Sequence, residues 1–448
     1  MICHGVDHKF SRRRLIFGGG RAAAYFALAS RGDAETTALN VKPRGTAKTV
    51  IFVNMSGAPS QLDTFDAKDG PWNADDADIQ QYGKGMFLSR TLFPEFSKLS
   101  KDLLLLHSVQ SWEAAHERGA FYVQTSHPQN PAFISESPHI GSVVAMEKGA
   151  PGPLPPFLAL NTSGTLFQGS KFMGGVNEPM LAPASANGLT TLEHNYYAAA
   201  SQQRFEEKFK MLLALDDNLR KNPLGKEMAS HADFYDAAKR LMYNQTISNV
   251  FKFSTDENNR YGNTNFGRAC IVARNAIKAK AGVSFINLHS FGWDTHQFMY
   301  DTNYAPNMYT LCNDLDRGIG NLVQDLKASG DFDKTLIVMM GEFGRTPGLL
   351  NPRGGRDHHK FLQAAAMIGG GVKGGRVIGE SDKDGAQVIT PGWSMNRPIF
   401  MEDIASTIYS ALGINWTKSI AETPSGRKFE YVPYAVQGTY TSIDEAFG

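Results

Sequence analysis

Short apolar runs alternate with amphipathic stretches along most of the chain. Residues 48–55 form a continuous apolar run rich in β-branched side chains, with polar residues at its ends, which is typical of a buried strand. Similar patterns predict strands at 103–106, 155–160, 283–288, 335–340 and 363–368, and helices at 112–124, 311–328 and 401–412. Because strands alternate with helices, we predict an α/β fold with a mostly parallel central sheet covered on both faces.

Two segments interrupt this alternation. Residues 162–200 are rich in Gly, Asn, Ser and Ala, which is typical of a long excursion from the sheet. Residues 202–280 show helical periodicity in three stretches separated by polar breaks. We therefore predict one large domain at 46–448 that carries a mainly helical insertion at about 200–281.

The first 45 residues are predicted to be an export signal and a linker. Arg12 and Arg13 precede an apolar, small-residue stretch that ends Ala27-Leu-Ala29, which is the order of a signal peptide, and the arginine pair is similar to a twin-arginine signal. Arg21 interrupts the apolar stretch, so a basic start on a cytosolic protein is the alternative. We expect twin-arginine export machinery as a partner, a periplasmic or otherwise exported location, and no stable membrane span.

Composition narrows the class of protein. The 448 residues include 45 basic and 44 acidic side chains, so the chain lacks the basic excess of a nucleic-acid binder. The three cysteines, Cys3, Cys270 and Cys312, form no CxxC motif, which argues against a thiolate zinc site or a disulfide framework. A single bridge between Cys270 and Cys312 is one alternative, and two buried, unpaired thiols are the favoured one.

Potential metal ligands follow the first predicted strand and the strand at 283–288. Asp63 and Asp66 come after the first of these, and Asp294 and His296 come after the second. Because ligands of open α/β sheets bind beyond the carboxyl ends of the strands, we expect these side chains to meet at one edge of the sheet. The alternative is that the carboxylates stabilise turns and that His296 is a structural residue held by hydrogen bonds.

The densest cluster follows the strand at 335–340. Its members are Glu342, Arg345, Arg356, Asp357, His358 and His359. Imidazole and carboxylate groups suit zinc, manganese or iron, and arginine can bind phosphate or sulfate oxygens in a fork. The alternative is a solvated loop with a surface salt bridge.

These side chains together could hold one or two divalent ions, with zinc, manganese or calcium as candidates. The candidate metal ligands are Asp63, Asp294, His296, Glu342, Asp357, His358 and His359. A cation there would polarise a phosphoryl or sulfuryl oxygen and lower the pKa of a bound water.

Four ordered motifs resemble a known bacterial family. They are Gly-Ala-Pro-Ser-Gln-Leu-Asp-Thr-Phe-Asp at 57–66, Gly-Trp-Asp-Thr-His at 292–296, Gly-Glu-Phe-Gly-Arg-Thr-Pro at 341–347 and Gly-Arg-Asp-His-His at 355–359. These motifs resemble the domain-of-unknown-function 1501 family, a twin-arginine-exported branch related to sulfatases and alkaline phosphatases. The resemblance covers about 46–415 and implies an alkaline phosphatase-like α/β/α sandwich.

The resemblance also implies roles for single residues. The implied ligands are Asp63 after the first strand, Asp294 and His296 after a later one, and His358 or His359 as the final ligand. Where relatives carry an Asp-His pair, this chain has Glu342-Phe343, so that only the carboxylate is kept.

The chain departs from its relatives at the position of the nucleophile. The relatives carry Ser, Thr or formylglycine there, at the start of the helix after the second strand. Residues 107–116 contain no Cys-x-Pro-x-Arg signature, so a formylglycine sulfatase is not expected. Ser111 is either a nucleophile or, as we favour, the helix N-cap. His116 is either a ligand or a base. If the chain has no nucleophilic side chain, either a metal-bound hydroxide would attack the ester directly or the protein would have no catalytic activity.

We therefore expect an exported, metal-dependent hydrolase of phosphate or sulfate esters, acting on a small molecule or a glycan. The candidate catalytic residues are Ser111, His116, Arg345 and Arg356. The alternative from a different class is a non-catalytic periplasmic protein that keeps the fold and binds a metal or a glycan. A third interpretation is a surface structural protein without a metal.

Overall fold

The structure is a computed structural model that describes residues 39–162, 166–184, 202–221, 244–421 and 423–448. The predicted export signal at 1–38 lies outside these residues, so it stays a prediction. Within the described ranges, no helix is both long enough and apolar enough to cross a membrane.

Eight strands form the central sheet. In chain order they are β1 (Thr49–Met55), β2 (Leu103–Val109), β3 (Phe157–Leu160), β4 (Met180–Ala182), β5 (Phe285–Ser290), β6 (Thr335–Met340), β7 (Gln363–Gly369) and β8 (Arg376–Ile378). Their spatial order is β8-β2-β7-β6-β1-β5-β3-β4. All neighbouring pairs are parallel except those of β7, which runs antiparallel to both β2 and β6.

Four two-stranded ribbons accompany this sheet. They pair Ile79–Gly83 with Met86–Ser89, Gly344–Arg345 with His358–His359, Glu380–Ser381 with Val388–Thr390, and Ser419–Ile420 with Phe429–Glu430. The ribbon at 344–359 carries candidate ligands back to the edge of the central sheet.

The α-helices of the described residues cover both faces of the sheet. They are α1 (Pro94–Lys98), α2 (His116–Thr125), α3 (Ile140–Lys148), α4 (Gln202–Lys221), α5 (Gln245–Val250), α6 (Thr255–Arg260), α7 (Asn265–Lys278), α8 (Met308–Ser329) and α9 (Met401–Ala411). Their ends follow ordinary capping chemistry. For example, the side chain of Asn307 accepts a hydrogen bond from the N–H of Thr310 at the start of α8, and Gly330 ends that helix with a φ of 74°.

The two faces of the sheet bury two separate cores. Every residue of β1 is buried, with Ile51 and Val53 on one face and Val50 and Phe52 on the other, as expected for alternating side chains in a strand covered on both faces. Helices α1, α7 and α8 contribute to the first core, and α2, α3 and α9 contribute to the second. The predicted α/β/α sandwich with a mostly parallel sheet is confirmed.

The predicted elements differ from the observed ones mainly at their ends. Strand β6 spans the predicted residues, while α2 begins at His116 rather than at residue 112. Strand β4 was not predicted, because its three residues lie in a segment whose composition is typical of a loop. The buried cysteines Cys270 and Cys312 are both unpaired, which confirms the favoured interpretation.

The residues predicted as a helical insertion contain four helices in their described part. These are α4, α5, α6 and α7. Helix α7 packs against α8 and β5 and contributes nine buried residues, so it belongs to the layer that covers the sheet. The boundary of an insertion at about 200–281 stays a prediction.

Candidate metal centre

Four side chains converge at the carboxyl edge of the sheet. They are His116, Asp294, His296 and His358, and one potential ligand atom from each lies within 4.8 Å of those of the others. His116 is the first residue of α2, Asp294 and His296 follow β5, and His358 lies in the ribbon that follows β6. Their side chains are a quarter to a half exposed, so the group is open to solvent.

The loop after β5 is held in place by close backbone packing. The indole Nε1 of the fully buried Trp293 donates a hydrogen bond to Ser290 Oγ at 2.9 Å, which fixes the residue before Asp294. Gly57 has a φ of 102°, and a Cβ at this position would lie 2.5 Å from the backbone nitrogen of Asp294. Glycine is therefore required there, because a larger residue would push this loop away from its position.

The ribbon at 344–359 separates the two adjacent histidines. His358 pairs with Arg345 and His359 with Gly344 in an antiparallel ladder, and successive side chains of a strand point to opposite faces. His358 accordingly joins the four-residue group, whereas His359 places its Nε2 2.7 Å from the carbonyl oxygen of Ala386. Only His358 of this pair is positioned as a ligand of the group.

Each of the three imidazoles has its Nδ1 next to an oxygen atom. The Nδ1 atoms lie 2.6 Å from Asp357 Oδ1 for His296, 2.7 Å from the Ala114 carbonyl for His358, and 3.2 Å from Glu342 Oε2 for His116. A carbonyl or an ionised carboxylate only accepts hydrogen bonds, so each Nδ1 carries a proton. In the neutral ring, each Nε2 then presents a lone pair to the centre of the group.

These nitrogens crowd around one oxygen of Asp294. His296 Nε2 lies 3.0 Å from His358 Nε2 and 3.0 Å from Asp294 Oδ1, and His116 Nε2 lies 3.2 Å from the same oxygen. Acceptor atoms at these distances repel one another unless a positive charge lies among them, and part of that charge comes from Arg345, whose Nη1 lies 3.3 Å from His296 Nε2. The donor set therefore fits a cation, and the partners of the Nδ1 atoms are those that usually orient metal-binding histidines.

In the absence of a metal, a proton on His116 adds to the positive charge of Arg345. Hydrogen bonding to Asp294 and then to Glu342 raises the pKa of His116 to about 9. Burial works against the ionisation of Asp294, but hydrogen bonds from His116 and Arg345 outweigh it and lower the pKa of this carboxyl. Burial lowers the pKa of His358, which keeps that ring neutral. A metal ion would have to displace the proton of His116.

Two buried arginines hold the loops around the group. Arg345 donates to Asp294 Oδ1 at 2.5 Å and to the carbonyl oxygens of Gly57 and Ala58, and it has no exposed surface. Arg356 is equally buried and donates from Nε to Asp63 at 2.7 Å. Both guanidinium groups bind protein oxygens, so neither is presented as an open fork for a phosphate or sulfate.

The structure does not bring Asp63 into the four-residue group. Its carboxylate accepts hydrogen bonds from Arg356, Ser60 and Tyr300, all within a buried network. Asp66 is also buried, where Ser381 donates to one carboxylate oxygen and the ring of His107 lies 3.1 Å from the other. Glu342 and Asp357 lie outside the group, where Glu342 contacts His116, Asp357 contacts His296, and each carboxylate orients its histidine ring.

Ser111 lies at the end of β2 and makes local hydrogen bonds. Its backbone N–H donates to the carbonyl of Lys360, and its Oγ accepts from the N–H of Glu113 at 3.2 Å. Our favoured interpretation of Ser111 as the helix N-cap is wrong, because α2 begins at His116 with Ala115 as its N-cap. The carbonyl of Ala114, which orients His358, was missed because no side chain marks a backbone acceptor in a sequence.

Two solved structures share a weak likeness with this fold. A protein in the alkaline phosphatase superfamily from Vibrio parahaemolyticus is 12% identical, with a TM-score of 0.40 over 91% of this chain and 76% of that chain. A sulfatase from Pseudoalteromonas sp. is 13% identical, with a TM-score of 0.38 over 94% of this chain and 74% of that chain. TM-scores this low carry no argument about activity, and no curated protein matches the sequence.

One family matches most of the chain. The sequence model described as "Protein of unknown function (DUF1501)" matches residues 47–437, a range that contains all four residues of the candidate metal centre. This match confirms the family that the four sequence motifs indicate. The chain therefore belongs to the DUF1501 family.

Proposed function

We propose that this protein is an exported, metal-dependent hydrolase of phosphate or sulfate esters. The observation that carries the proposal is the convergence of three imidazole Nε2 atoms and one carboxylate oxygen at the open carboxyl edge of the sheet. Ligands of α/β sheets bind at this edge, and the group is accessible to a substrate from solvent.

The donor set favours one ion of zinc or manganese over calcium. Calcium takes six to eight oxygen ligands, whereas imidazole nitrogen suits zinc and other transition metals. His116, His296 and His358 would supply nitrogen and Asp294 would supply oxygen. In the described part of the chain, Asp63 is already neutralised by Arg356, so we do not assign it to a second ion.

The proposed chemistry divides between the cation and the side chains around it. A divalent cation supplies Lewis acidity, which polarises an ester oxygen and lowers the pKa of water. Arg345 keeps Asp294 ionised and in place, and Asp357 and Glu342 orient two of the histidine rings. Arg353 is an exposed cation 2.9 Å from Asp357, where it would attract an anionic ester.

Water is the nucleophile that we propose. The hydroxyl of Ser111 is buried and accepts a hydrogen bond from its own loop, and no hydrogen bond joins it to the four ligands within the described ranges. Nucleophilic side chains normally lie within hydrogen-bond reach of their activating base. We therefore expect Ser111→Ala to keep most of the activity.

The test compares two adjacent histidines. Protein purified without chelator is analysed for its metals and assayed on aryl phosphates, phosphodiesters and aryl sulfates. His358→Ala is expected to lose both metal and activity, whereas the matched variant His359→Ala keeps them. Metal without turnover on any ester class would support the non-catalytic binding protein instead. Absence of metal from the folded wild-type protein, after loading with zinc or manganese, would contradict both.

Export through twin-arginine machinery is a separate part of the proposal. It is supported by the order of basic, apolar and small residues at the N-terminus. Replacement of Arg12 and Arg13 by Lys is expected to leave the protein in the cytoplasm of its native host, as measured by cell fractionation. Unchanged distribution of the double variant would contradict this route.

A further inference from the structure

A cavity lies on the same edge of the sheet as the candidate metal centre. It has a volume of about 620 Å³ and lies beyond the carboxyl ends of β3, β4 and β5, against the start of α7. Its walls include Leu181, Phe266, His289, Phe291 and Asp314. A cavity of this size and position is typical of a site for a small organic molecule.

One polar side chain that lines this cavity is His289. Only 6% of its surface is exposed, and no described residue forms a hydrogen bond with its Nδ1, which is itself buried. Burial lowers its pKa to about 4, so the ring is neutral at physiological pH and offers one donor and one acceptor. A hydroxyl group can either donate to or accept from a neutral imidazole nitrogen, so it suits this ring whichever nitrogen carries the proton.

Asp314 gives the cavity a negative charge. Burial raises its pKa to about 6, so it is mostly ionised at pH 7.5, and it is hydrogen-bonded to Thr264. A carboxylate has two acceptor oxygens and can receive hydrogen bonds from two neighbouring hydroxyls, while it repels a phosphate or sulfate. The cavity therefore favours the neutral, hydroxylated part of a molecule over its anionic group.

Phe291 supplies a flat apolar surface. Its ring stacks on His289 with centroids 4.3 Å apart and planes 5° apart, yet 45% of the residue remains exposed. Leu181, which is 54% exposed, and the buried Phe266 add apolar walls. The C–H face of a sugar ring packs against the electron-rich face of an aromatic ring, while its hydroxyls point outward to polar groups.

The cavity and the metal centre share one loop. Phe291 and Asp294 are three residues apart, so their Cα atoms are separated by at most about 11 Å. Both lie beyond the carboxyl end of β5. Ser290, which lines the cavity, accepts a hydrogen bond from Trp293, the residue before Asp294. One molecule of moderate size can therefore reach both places.

We propose that this cavity binds a neutral, polyhydroxylated six-membered ring, such as a pyranose, of the molecule whose ester group lies at the metal centre. The ester part of this inference rests on the proposed function, whereas the ring-binding part does not. The substrate class is then a sugar ester rather than an aryl or lipid ester.

The test measures ring binding separately from catalysis. The purified protein, stripped of metal by chelation, is titrated by saturation-transfer NMR with methyl glucopyranoside, methyl galactopyranoside and methyl N-acetylglucosaminide. At least one of these is expected to bind saturably. Phe291→Ala and Asp314→Asn are each expected to weaken this binding at least tenfold. Phe361→Ala, which removes an exposed aromatic ring beside a different cavity, should leave the affinity unchanged.

The results separate this inference from the proposed function. Ring binding that depends on Phe291 supports the inference even if the protein contains no metal and turns over no ester. Hydrolysis of aryl esters with no saturable binding of any of the three glycosides would overturn the inference and leave the hydrolase intact. Binding of phenol at the same site, in preference to the glycosides, would also overturn it. Circular dichroism of each variant checks that the protein is folded.

Discussion

The clearest test of the metal centre is the substitution Asp357→Asn. Asp357 does not belong to the four-residue group, but its Oδ1 lies 2.6 Å from the Nδ1 of His296. The substitution keeps the size of the side chain and removes its charge. The Nδ1 proton then has a weaker acceptor, and the Nε2 of His296 becomes a weaker and less well-oriented ligand.

The expected size of the effect follows from the exposure of this contact. Removal of a group that orients a metal-binding histidine lowers metal affinity by about 10- to 100-fold. The Asp357 side chain is 47% exposed, so solvent screens its charge, and Asn351 and Arg353 also contact it. We therefore expect the lower end of this range, about a tenfold weaker affinity, or about 1.4 kcal/mol.

The assay is a competition between the protein and a fluorescent zinc chelator at pH 7.5. The control is Asp69→Asn, which removes the charge of an exposed carboxylate outside the group and should leave zinc affinity unchanged. Thermal unfolding of the metal-free variants checks that both remain folded. An Asp357→Asn affinity within twofold of wild type would refute the orienting role, and with it the argument that Nε2 is the ligand atom of His296.

Three further changes test the surroundings of the same group. Because the pKa of His116 is raised to about 9, its ring is protonated at pH 7 in the metal-free protein. Zinc must displace this proton, so zinc affinity should rise about tenfold from pH 7 to pH 8 and level off above pH 9. Chelator competition measures this dependence. Arg345→Met leaves two buried carbonyl acceptors and Asp294 without their donor, so urea unfolding should show a loss of about 2–3 kcal/mol, and unchanged stability would contradict the structural role. Gly57→Ala should destabilise the protein by about 1–3 kcal/mol and weaken zinc binding, because its Cβ would meet the backbone of Asp294, whereas Gly348→Ala, with a positive φ of 65° but open space around it, should keep zinc affinity.

Much of the fold could be predicted from hydrophobic periodicity. Strands buried on both faces give long apolar runs, which is why β1 and β6 were located within one residue of their observed ends. The direction of each strand could not be predicted in this way. Strand β7 is as apolar as its neighbours but runs antiparallel to them, and an apolar run does not indicate the direction of the strand that pairs with it.

The sequence predicted seven metal ligands, of which the structure brings three, Asp294, His296 and His358, together with His116. Side chains at the ends of parallel strands meet at one edge, so Asp294, His296 and His358 could be expected to converge. The separation of His358 from His359 required the register of a two-residue ribbon, which sequence does not fix. Asp63 has the same ligand chemistry as Asp294, and only the position of Arg356 shows that its charge is already paired.

The four residues of this group are spread over about 240 positions of the chain. The last of them, His358, is added only after about four-fifths of the 448 residues have been synthesised. A growing chain therefore lacks the complete set of four side chains until the ribbon at 344–359 has been made and has docked beside β5. If the group holds a metal, as we propose, capture of the ion follows synthesis, and the compartment in which the finished protein folds decides which ion is available.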